Sequence, residues 1–295
     1  MDFKILRIYN ILKSITSHPL NRHSKIRALI RFVKWQMNTK LNPFPIIYPF
    51  TDKSKLIIQR GMTGATGNLY CGLHEFNEMS FLLHFLRRDD YFVDVGANIG
   101  SYTILASAHV GAKVISIEPV PSTFLNLRMN ICINQMDKNV ETYNIAIGSK
   151  TGMINFTSSF DTTNHVATEE DLKDNAAGII KVPIKTLDEI INDFQIPILL
   201  KIDTEGFETE VIAGASRLLS KNTLKAIIIE LNDKYKINEM LTKFGFKAFQ
   251  YDPFNRELIS RFENNTNNAI YIRDIEFIQK RLKTAEKFKI LNHLI

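Results

Sequence analysis

Cysteine is nearly absent from this 295-residue chain: Cys71 and Cys132 are the only two. A disulfide scaffold is therefore excluded, and neither cysteine has the close partner that a metal knuckle needs. Long apolar runs are missing too, since none approaches the ~20 residues needed to span a bilayer. The opening Met1-Asp2-Phe3-Lys4 lacks the apolar core of a secretory signal. A reduced, cytoplasmic setting is the expectation. No internal repeat and no low-complexity tract interrupts the chain. Acidic residues are almost lacking at the start: residues 1–40 set nine Lys/Arg against Asp2 alone, a charge of +8. Residues 271–295 carry +3, and the total of +6 leaves −5 for the middle. A uniformly basic nucleic-acid binder would not be distributed this way, so no nucleic-acid partner is expected. Apolar content of 45% and charged content of 23% fit a globular chain long enough for a well-buried core.

What is present is an alternation of strands and helices. Residues 1–40 read as two helices, with Ile5, Ile8, Leu12 and Ile15, then Ile26, Leu29, Ile30 and Val33, at helical spacing. Asn42-Pro43-Phe44-Pro45 breaks them. A Gly-rich stretch over 61–72 leads into a helix at 77–86. Strands are expected at 91–95, 113–117, 140–147, 198–202 and 226–230. Helices are expected at 99–110, 122–134, 206–219 and 237–244. Thr186 and Glu189 have the spacing of a capping box. Strands at 246–251 and 269–272 follow without a helix between them, which suggests an antiparallel edge. The pattern predicts an α/β fold, a mostly parallel Rossmann-like sheet covered on both faces.

The sharpest motif is Asp94-Val95-Gly96-Ala97-Asn98-Ile99-Gly100, between the first of those strands and a helix. Ligands of open α/β sheets bind beyond the carboxyl ends of strands, and glycine there lets backbone approach the ligand. Glu118, ending the next strand, is placed to accept from ribose hydroxyls. The order Asp-x-Gly-x-x-x-Gly lacks the middle glycine that admits a dinucleotide's pyrophosphate. A cofactor with an amino-acid moiety fits better: Asp94 can accept from its ammonium, and the helix N-terminus favours its carboxylate. A carboxylate at the turn also suits a sulfonium cation. The reading is S-adenosyl-L-methionine, held by Asp94, Gly96, Asn98, Gly100, Glu118 and Pro119, with Ala146 near the end of the third strand. The bland alternative is that the glycines only make a tight turn.

These residues resemble the FkbM family of methyltransferases. The resemblance runs through residues 94–103 and Glu118-Pro119-Val120-Pro121. It continues at Leu127, Asn130 and Asn134, and returns at Lys201-Ile202-Asp203-Thr204-Glu205-Gly206-Phe207-Glu208 with Val211, Gly214 and Ala215. It covers roughly 68–232. It implies a class I methyltransferase fold, S-adenosylmethionine as cofactor, and a sugar or natural-product hydroxyl as acceptor. Three segments are then expected: a basic helical extension (1–60), the methyltransferase domain (61–273) and a C-terminal helix (274–295). Residues 1–60 and the loop 157–177 match nothing in the family and are expected to touch substrate.

Methyl transfer is an in-line displacement, so it needs positioning, and a hydroxyl acceptor benefits from a general base. Asp203 at the tip of the fourth parallel strand is the candidate base. Lys201 shares its side of the strand and can hold it or bind the acceptor. Glu205 is a further candidate, although Lys201, Asp203 and Glu205 could equally form a structural ion-pair cluster. Glu205 and Glu208 could also be first-turn acids that favour the helix dipole. His165 is a loop candidate, with an exposed loop histidine as the simpler reading. Glu75 or Glu78 could reach the methionine end. No metal site is assigned, because spacing identifies no second acid beside Asp203. Other readings are an NAD-dependent oxidoreductase, a non-catalytic cofactor-binding module and a nucleic-acid methyltransferase. Asp203-Thr204-Glu205-Gly206 replaces the Asn/Asp-Pro-Pro-aromatic signature of amino-methylating enzymes, which favours oxygen as acceptor. The two basic helices could lie peripherally on the inner membrane face. Apolar stripes at this spacing mostly face protein, so packing on the catalytic domain as a lid or dimer contact is the expectation.

Overall fold

Runs of β-branched residues build the centre of the molecule. A computed structural model describes residues 3–173, 178–260 and 267–295. The chain opens with α1 (Phe3–Ser17) and α2 (Lys25–Leu41), then a hairpin of β1 (Ile46–Pro49) and β2 (Lys55–Ile58). Next come α3 (Thr63–Cys71), α4 (Phe76–Phe85), β3 (Tyr91–Val95) and α5 (Ser101–Ile104), which runs on as a π-helical turn over Leu105–Val110. They are followed by β4 (Lys113–Ile117), α6 (Pro121–Ile133), β5 (Val140–Tyr143), β6 (Ala146–Ile147), β7 (Gly152–Phe156), β8 (Ile180–Lys185) and α7 (Leu187–Ile190). The second half holds β9 (Leu199–Ile202), α8 (Glu208–Ala213), α9 (Ser216–Leu219), β10 (Ala226–Glu230), α10 (Lys234–Thr242), β11 (Lys247–Asp252), β12 (Glu257–Ile259) and β13 (Asn268–Ile272). It ends with α11 (Ile275–Lys283), β14 (Lys289–Ile290) and β15 (His293–Leu294).

Eight strands form the main sheet in the order β12-β11-β13-β10-β9-β3-β4-β5. Strands β5, β4, β3, β9 and β10 are parallel, and β13, β11 and β12 continue antiparallel. Alternate side chains bury on opposite faces, Phe92, Val114 and Leu199 on one and Val93, Ile115 and Leu200 on the other. This is the α/β architecture expected, with its antiparallel edge. Strand order reverses between β3 and β9, which opens a crevice at their carboxyl ends. Register sets Asp94 of β3 opposite Lys201 of β9 and Ser116 of β4.

Several sequence-based expectations are corrected. The single strand over 140–147 is two: β5 joins the main sheet, while β6 pairs with β8 in a three-stranded sheet with β7. Asn144 separates them by turning inward, donating to the Glu118 and Pro119 carbonyls at 2.8 and 3.0 Å. The Gly-rich stretch over 61–72 is largely helix α3, because its apolar Ala65, Leu69 and Cys71 gain burial that outweighs weak propensity. The helix over 206–219 breaks into α8 and α9 around Gly214 and Ala215. A Cβ on Gly214 would lie 2.0 Å from the Gly148 carbonyl oxygen. The segment 274–295 is a helix only as far as Lys283, then a β14–β15 hairpin. Ile15, Leu20, Ala28 and Trp35 share one apolar cluster with Phe92, Ile278, Phe288 and Ile295, so all three expected segments contribute to the same core. The Thr186–Glu189 capping box is present as read. Among the described residues no helix is long and apolar enough to cross a membrane.

Candidate active site

The turn after β3 is fastened from two sides. Gly96 and Ala97 donate their backbone N–H groups to the Ile117 carbonyl at 3.0 and 2.9 Å. Asp203 donates its backbone N–H to the Val95 carbonyl at 3.1 Å, locking the tip of β9 against the same turn. Gly96 sits at φ +75°, and a Cβ there would lie 1.8 Å from the Asp203 carbonyl oxygen. Glycine is thus required both for the left-handed backbone and for the close approach. Asn98 follows at φ +51°, a region that asparagine tolerates better than most residues. Gly100 supplies the left-handed cap of α5 at φ +91°.

These loops border a cavity of about 280 Å³, near the lower end of the roughly 300–1,000 Å³ usual for small-molecule sites. Gly96, Asn98, Glu118, Pro119 and Ala146 line it, as do Lys201, Asp203 and Glu205. Asp94 and Gly100 do not. Asp94 is fully buried beneath the wall, where its Oδ2 accepts from Thr103 Oγ1 at 2.7 Å while Oδ1 has no hydrogen-bond partner among the described residues. Burial raises the Asp94 carboxyl above its usual range, and the nearby Lys201 ammonium opposes that rise.

Glu118 faces the cavity with both oxygens partly engaged. Oε2 accepts from Asn98 N–H at 3.0 Å and Oε1 from Val120 N–H at 2.9 Å. Each oxygen keeps a lone pair for a further donor. Burial pushes the Glu118 carboxyl up to about 7, against those two backbone donors.

Lys201 spans the floor. Its Nζ lies 2.7 Å from Asp203 Oδ2 and 4.8 Å from the centre of the Tyr102 ring. Burial alone would neutralise this ammonium, but the carboxylates of Asp203, Asp94 and Glu75 outweigh that and hold its pKa above the ordinary lysine value. The ion-pair reading of Lys201 and Asp203 is therefore correct in geometry, and the pair also faces the cavity. Tyr102 lines the wall too, and its buried hydroxyl has no hydrogen-bond partner among the described residues.

Glu205 adopts φ +52° in the loop after β9. Glu208 fixes that loop: one carboxylate oxygen accepts from Thr204 N–H, Thr204 Oγ1 and Gly206 N–H at 3.0–3.1 Å. The sequence does not single out Glu230 at the tip of β10, yet it joins Asp203 and Glu205 so closely that one carboxylate oxygen from each lies within 4.8 Å of the others. A second and third acid beside Asp203 thus exist, although spacing alone identifies none. Their signal was position, since β10 pairs with β9 and its carboxyl end must open on the same crevice. Burial first, then neighbouring carboxylates, pushes Glu205 up to about 7 and Glu230 up to about 8.

His165 is not brought to the cavity. Its Nε2 faces Asp171 Oδ2 at 3.0 Å, its Nδ1 faces the Thr163 carbonyl at 2.8 Å, and its ring stacks on Phe160. Neighbours in its loop do line the cavity, namely Asp161, Thr162, Asn164 and Val166. Residues 174–177 of the loop expected at substrate lie outside the described residues. No described residue of 1–60 lines the wall. Thr63, Gly64 and Asn68 of α3 do, as do Asn267 and Asn268, which sequence reading missed. Glu75 also lines the cavity and accepts from Asn268 Nδ2 at 2.6 Å, whereas the half-buried Glu78 does not line it.

The raised carboxyls have a measurable consequence. Glu78, Glu118 and Glu205 near 7 and Glu230 near 8 bind protons in the folded state that the unfolded chain has released. Folding stability therefore falls as pH rises through that range. His18 and His84, lowered to about 4 and about 3 by burial, act in the opposite sense, but only below their ordinary value of 6.5. We expect the melting temperature of the ligand-free protein to fall between pH 6.5 and 8, with a smaller slope in Glu230→Gln. A flat or rising melting curve across that interval would contradict the burial of these groups.

A doubly covered, mostly parallel sheet with a glycine turn and an acid-lined cavity at its reversal point places a small-molecule site where α/β proteins of this order carry one. Residues 94–262 match the methyltransferase FkbM domain. The chain belongs to the FkbM methyltransferase family. The hexuronic acid methyltransferase AglP of Haloferax volcanii is 29% identical over 165 residues, which cover 54% of this chain and 62% of AglP. The match thus spans less than two thirds of that relative. Among solved structures, the methyltransferase FkbM of Methylobacillus flagellatus KT is 18% identical with a TM-score of 0.45, covering 71% of this chain and 52% of its own. The precorrin-6y C5,15-methyltransferase of Geobacter metallireducens GS-15 is 15% identical with a TM-score of 0.42, covering 76% and 97%. Both are distant, and the fold assignment rests on the strand order itself.

Proposed function

We propose that this chain transfers the methyl group of S-adenosylmethionine to a hydroxyl of a sugar or glycan. The observation that carries this reading is the group of Asp203, Glu205 and Glu230 on the cavity wall, immediately beside the Gly96 turn and Glu118. Six carboxylate side chains and one lysine line the cavity. Such a wall suits a cationic cofactor and a neutral acceptor that gives up a proton. AglP, named for a sugar acid, supports a sugar-type acceptor.

The residues present fit the cofactor. Glu118 retains acceptor capacity for ribose hydroxyls, and the Gly96 turn presents backbone without a side chain. Pro119, Ala146, Ile147 and Phe156 offer apolar surface for a base. Asp94 acts here as a positioning residue beneath the floor, through Thr103 and the neighbouring Lys201. S-adenosylmethionine supplies an electrophilic methyl on a sulfonium. Asp203, oriented by Lys201, accepts the acceptor's hydroxyl proton as general base. Glu205 and Glu230 stand within reach as a relay or as hydrogen-bond partners for neighbouring hydroxyls.

Isothermal titration should show binding of S-adenosylmethionine and S-adenosylhomocysteine and none of NAD. Glu118→Ala should weaken binding by about 1.5–3 kcal/mol, the worth of a charge-assisted hydrogen bond. Radiolabelled methyl transfer across a panel of neutral sugars, uronates and glycans then identifies the acceptor. NAD binding with no S-adenosylmethionine binding would return the reading to an oxidoreductase, and tight cofactor binding with no transfer to any hydroxyl compound would favour a binding module.

A further inference from the structure

Helix α2 has two apolar faces, and the fold uses one. Ala28 and Trp35 are buried in the core. Arg31 donates to the Tyr70 carbonyl at 2.8 Å and to Asn21 Oδ1 at 2.6 Å, and Gln36 donates to Tyr70 Oη at 3.1 Å, which fastens this side onto α3. On the opposite side Ile26, Ile30, Val33, Met37 and Leu41 follow the i, i+4, i+7, i+11, i+15 spacing of a single helical stripe. All five are between 47% and 82% exposed. Phe44 and Ile47, just beyond the helix, are exposed as well. An apolar stripe of this size is unusual on a surface that faces only water.

Charge identifies what covers it. At about 100° per residue, Arg27 and Lys34 flank the stripe on one side and Lys40 on the other, with Lys25 further round on that same side. All four are exposed. Between Phe3 and Thr51 the chain contains no acidic residue at all. A second copy of this chain seated on the stripe through a two-fold axis would set these cations against their own counterparts. A nucleic acid would satisfy the cations and leave the stripe in water. An anionic lipid surface satisfies both, with the stripe at the acyl boundary and the Lys and Arg stems reaching to the headgroups. We propose that α2 lies in the interface of an anionic membrane and attaches the enzyme peripherally through this stripe. The expectation that this segment would simply pack on the catalytic domain accounts for Ala28 and Trp35 and not for the other face.

Flotation of the full chain with vesicles tests the proposal. The wild-type protein should rise with phosphatidylglycerol–phosphatidylcholine vesicles at low salt, stay behind with pure phosphatidylcholine vesicles, and be released by high salt. Ile30→Asn with Met37→Asn, at two exposed positions, should abolish flotation without changing the melting temperature. Lys34→Gln with Lys40→Gln should weaken partitioning roughly 25-fold, about fivefold for each charge removed. Failure of the wild-type protein to float on anionic vesicles overturns the proposal, as does equal flotation of the Ile30/Met37 variant. A dimer that this variant splits, with no flotation by either protein, assigns the stripe to a second copy instead.

Discussion

Asn in place of Asp203 is expected to lower methyl transfer by roughly 10²–10⁴-fold, the range of general-base contributions, while cofactor affinity stays within a few-fold. The substitution keeps the shape of the side chain and an acceptor oxygen for Lys201 Nζ, which lies 2.7 Å away in the wild-type protein. It removes the proton acceptor and one counter-charge. Asp94 remains beside Lys201 to hold the ammonium in the floor. Single-turnover transfer, with titration of cofactor into the same preparation, separates the outcomes. Full activity would pass the base role to Glu205 or Glu230. A large drop in melting temperature with loss of cofactor binding would show instead that Asp203 serves the ion pair and the loop.

Ala in place of Gly96 should damage both fold and site. The new Cβ would lie 1.8 Å from the Asp203 carbonyl oxygen, a backbone atom that cannot swing aside, and φ +75° is unfavourable for any side chain. The left-handed backbone costs about 1–2 kcal/mol and the overpacking about 1–3 kcal/mol. Together these correspond to a fall in melting temperature of roughly 3–8 °C for a chain of this size. Because Gly96 and Asp203 both line the cavity, cofactor affinity should fall at least about tenfold, or about 1.4 kcal/mol. Gly100→Ala makes a useful contrast. Its φ of +91° is equally unfavourable, but its Cβ meets the movable Leu127 Cδ1 at 2.6 Å, outside the cavity wall. Gly96→Ala melting within a degree of wild type, with unchanged affinity, would refute the close approach.

The parallel core was legible because its signals are local. Tyr91–Val95, Lys113–Ile117 and Ala226–Glu230 stand where the apolar runs put them, and Gly96 and Glu118 follow from the ends of such strands. What the sequence concealed depends on chain segments that meet only after folding. Helix α3 has too many glycines to be read as helical, and its wall residues Thr63, Gly64 and Asn68 were lost with it. Asn267 and Asn268 reach the cavity because β13 inserts between β10 and β11, an order that no local pattern encodes. Asp94 lies deeper than its place in the motif suggests: it is buried, it is absent from the cavity lining, and register sets it beside Lys201. His165 had the right chemistry in a loop that does reach the cavity, and Asp171 holds it elsewhere.

The joining of the two ends of the chain bears on how the molecule is made. His293 Nε2 meets the Leu20 carbonyl across 273 residues of sequence, at 2.8 Å, and Phe288, Ile290 and Ile295 fill the same apolar cluster as Ile15, Leu20 and Trp35. Contacts of such separation form late, because loop closure must precede any reward. Helix α2 can settle on α3 early, through Arg31 and Tyr70, but Leu20 and Ile15 keep part of their apolar surface uncovered until residues 288–295 pack against them. Closure of this long-range contact is therefore expected to be a late step of folding, with apolar surface around Leu20 exposed until it forms.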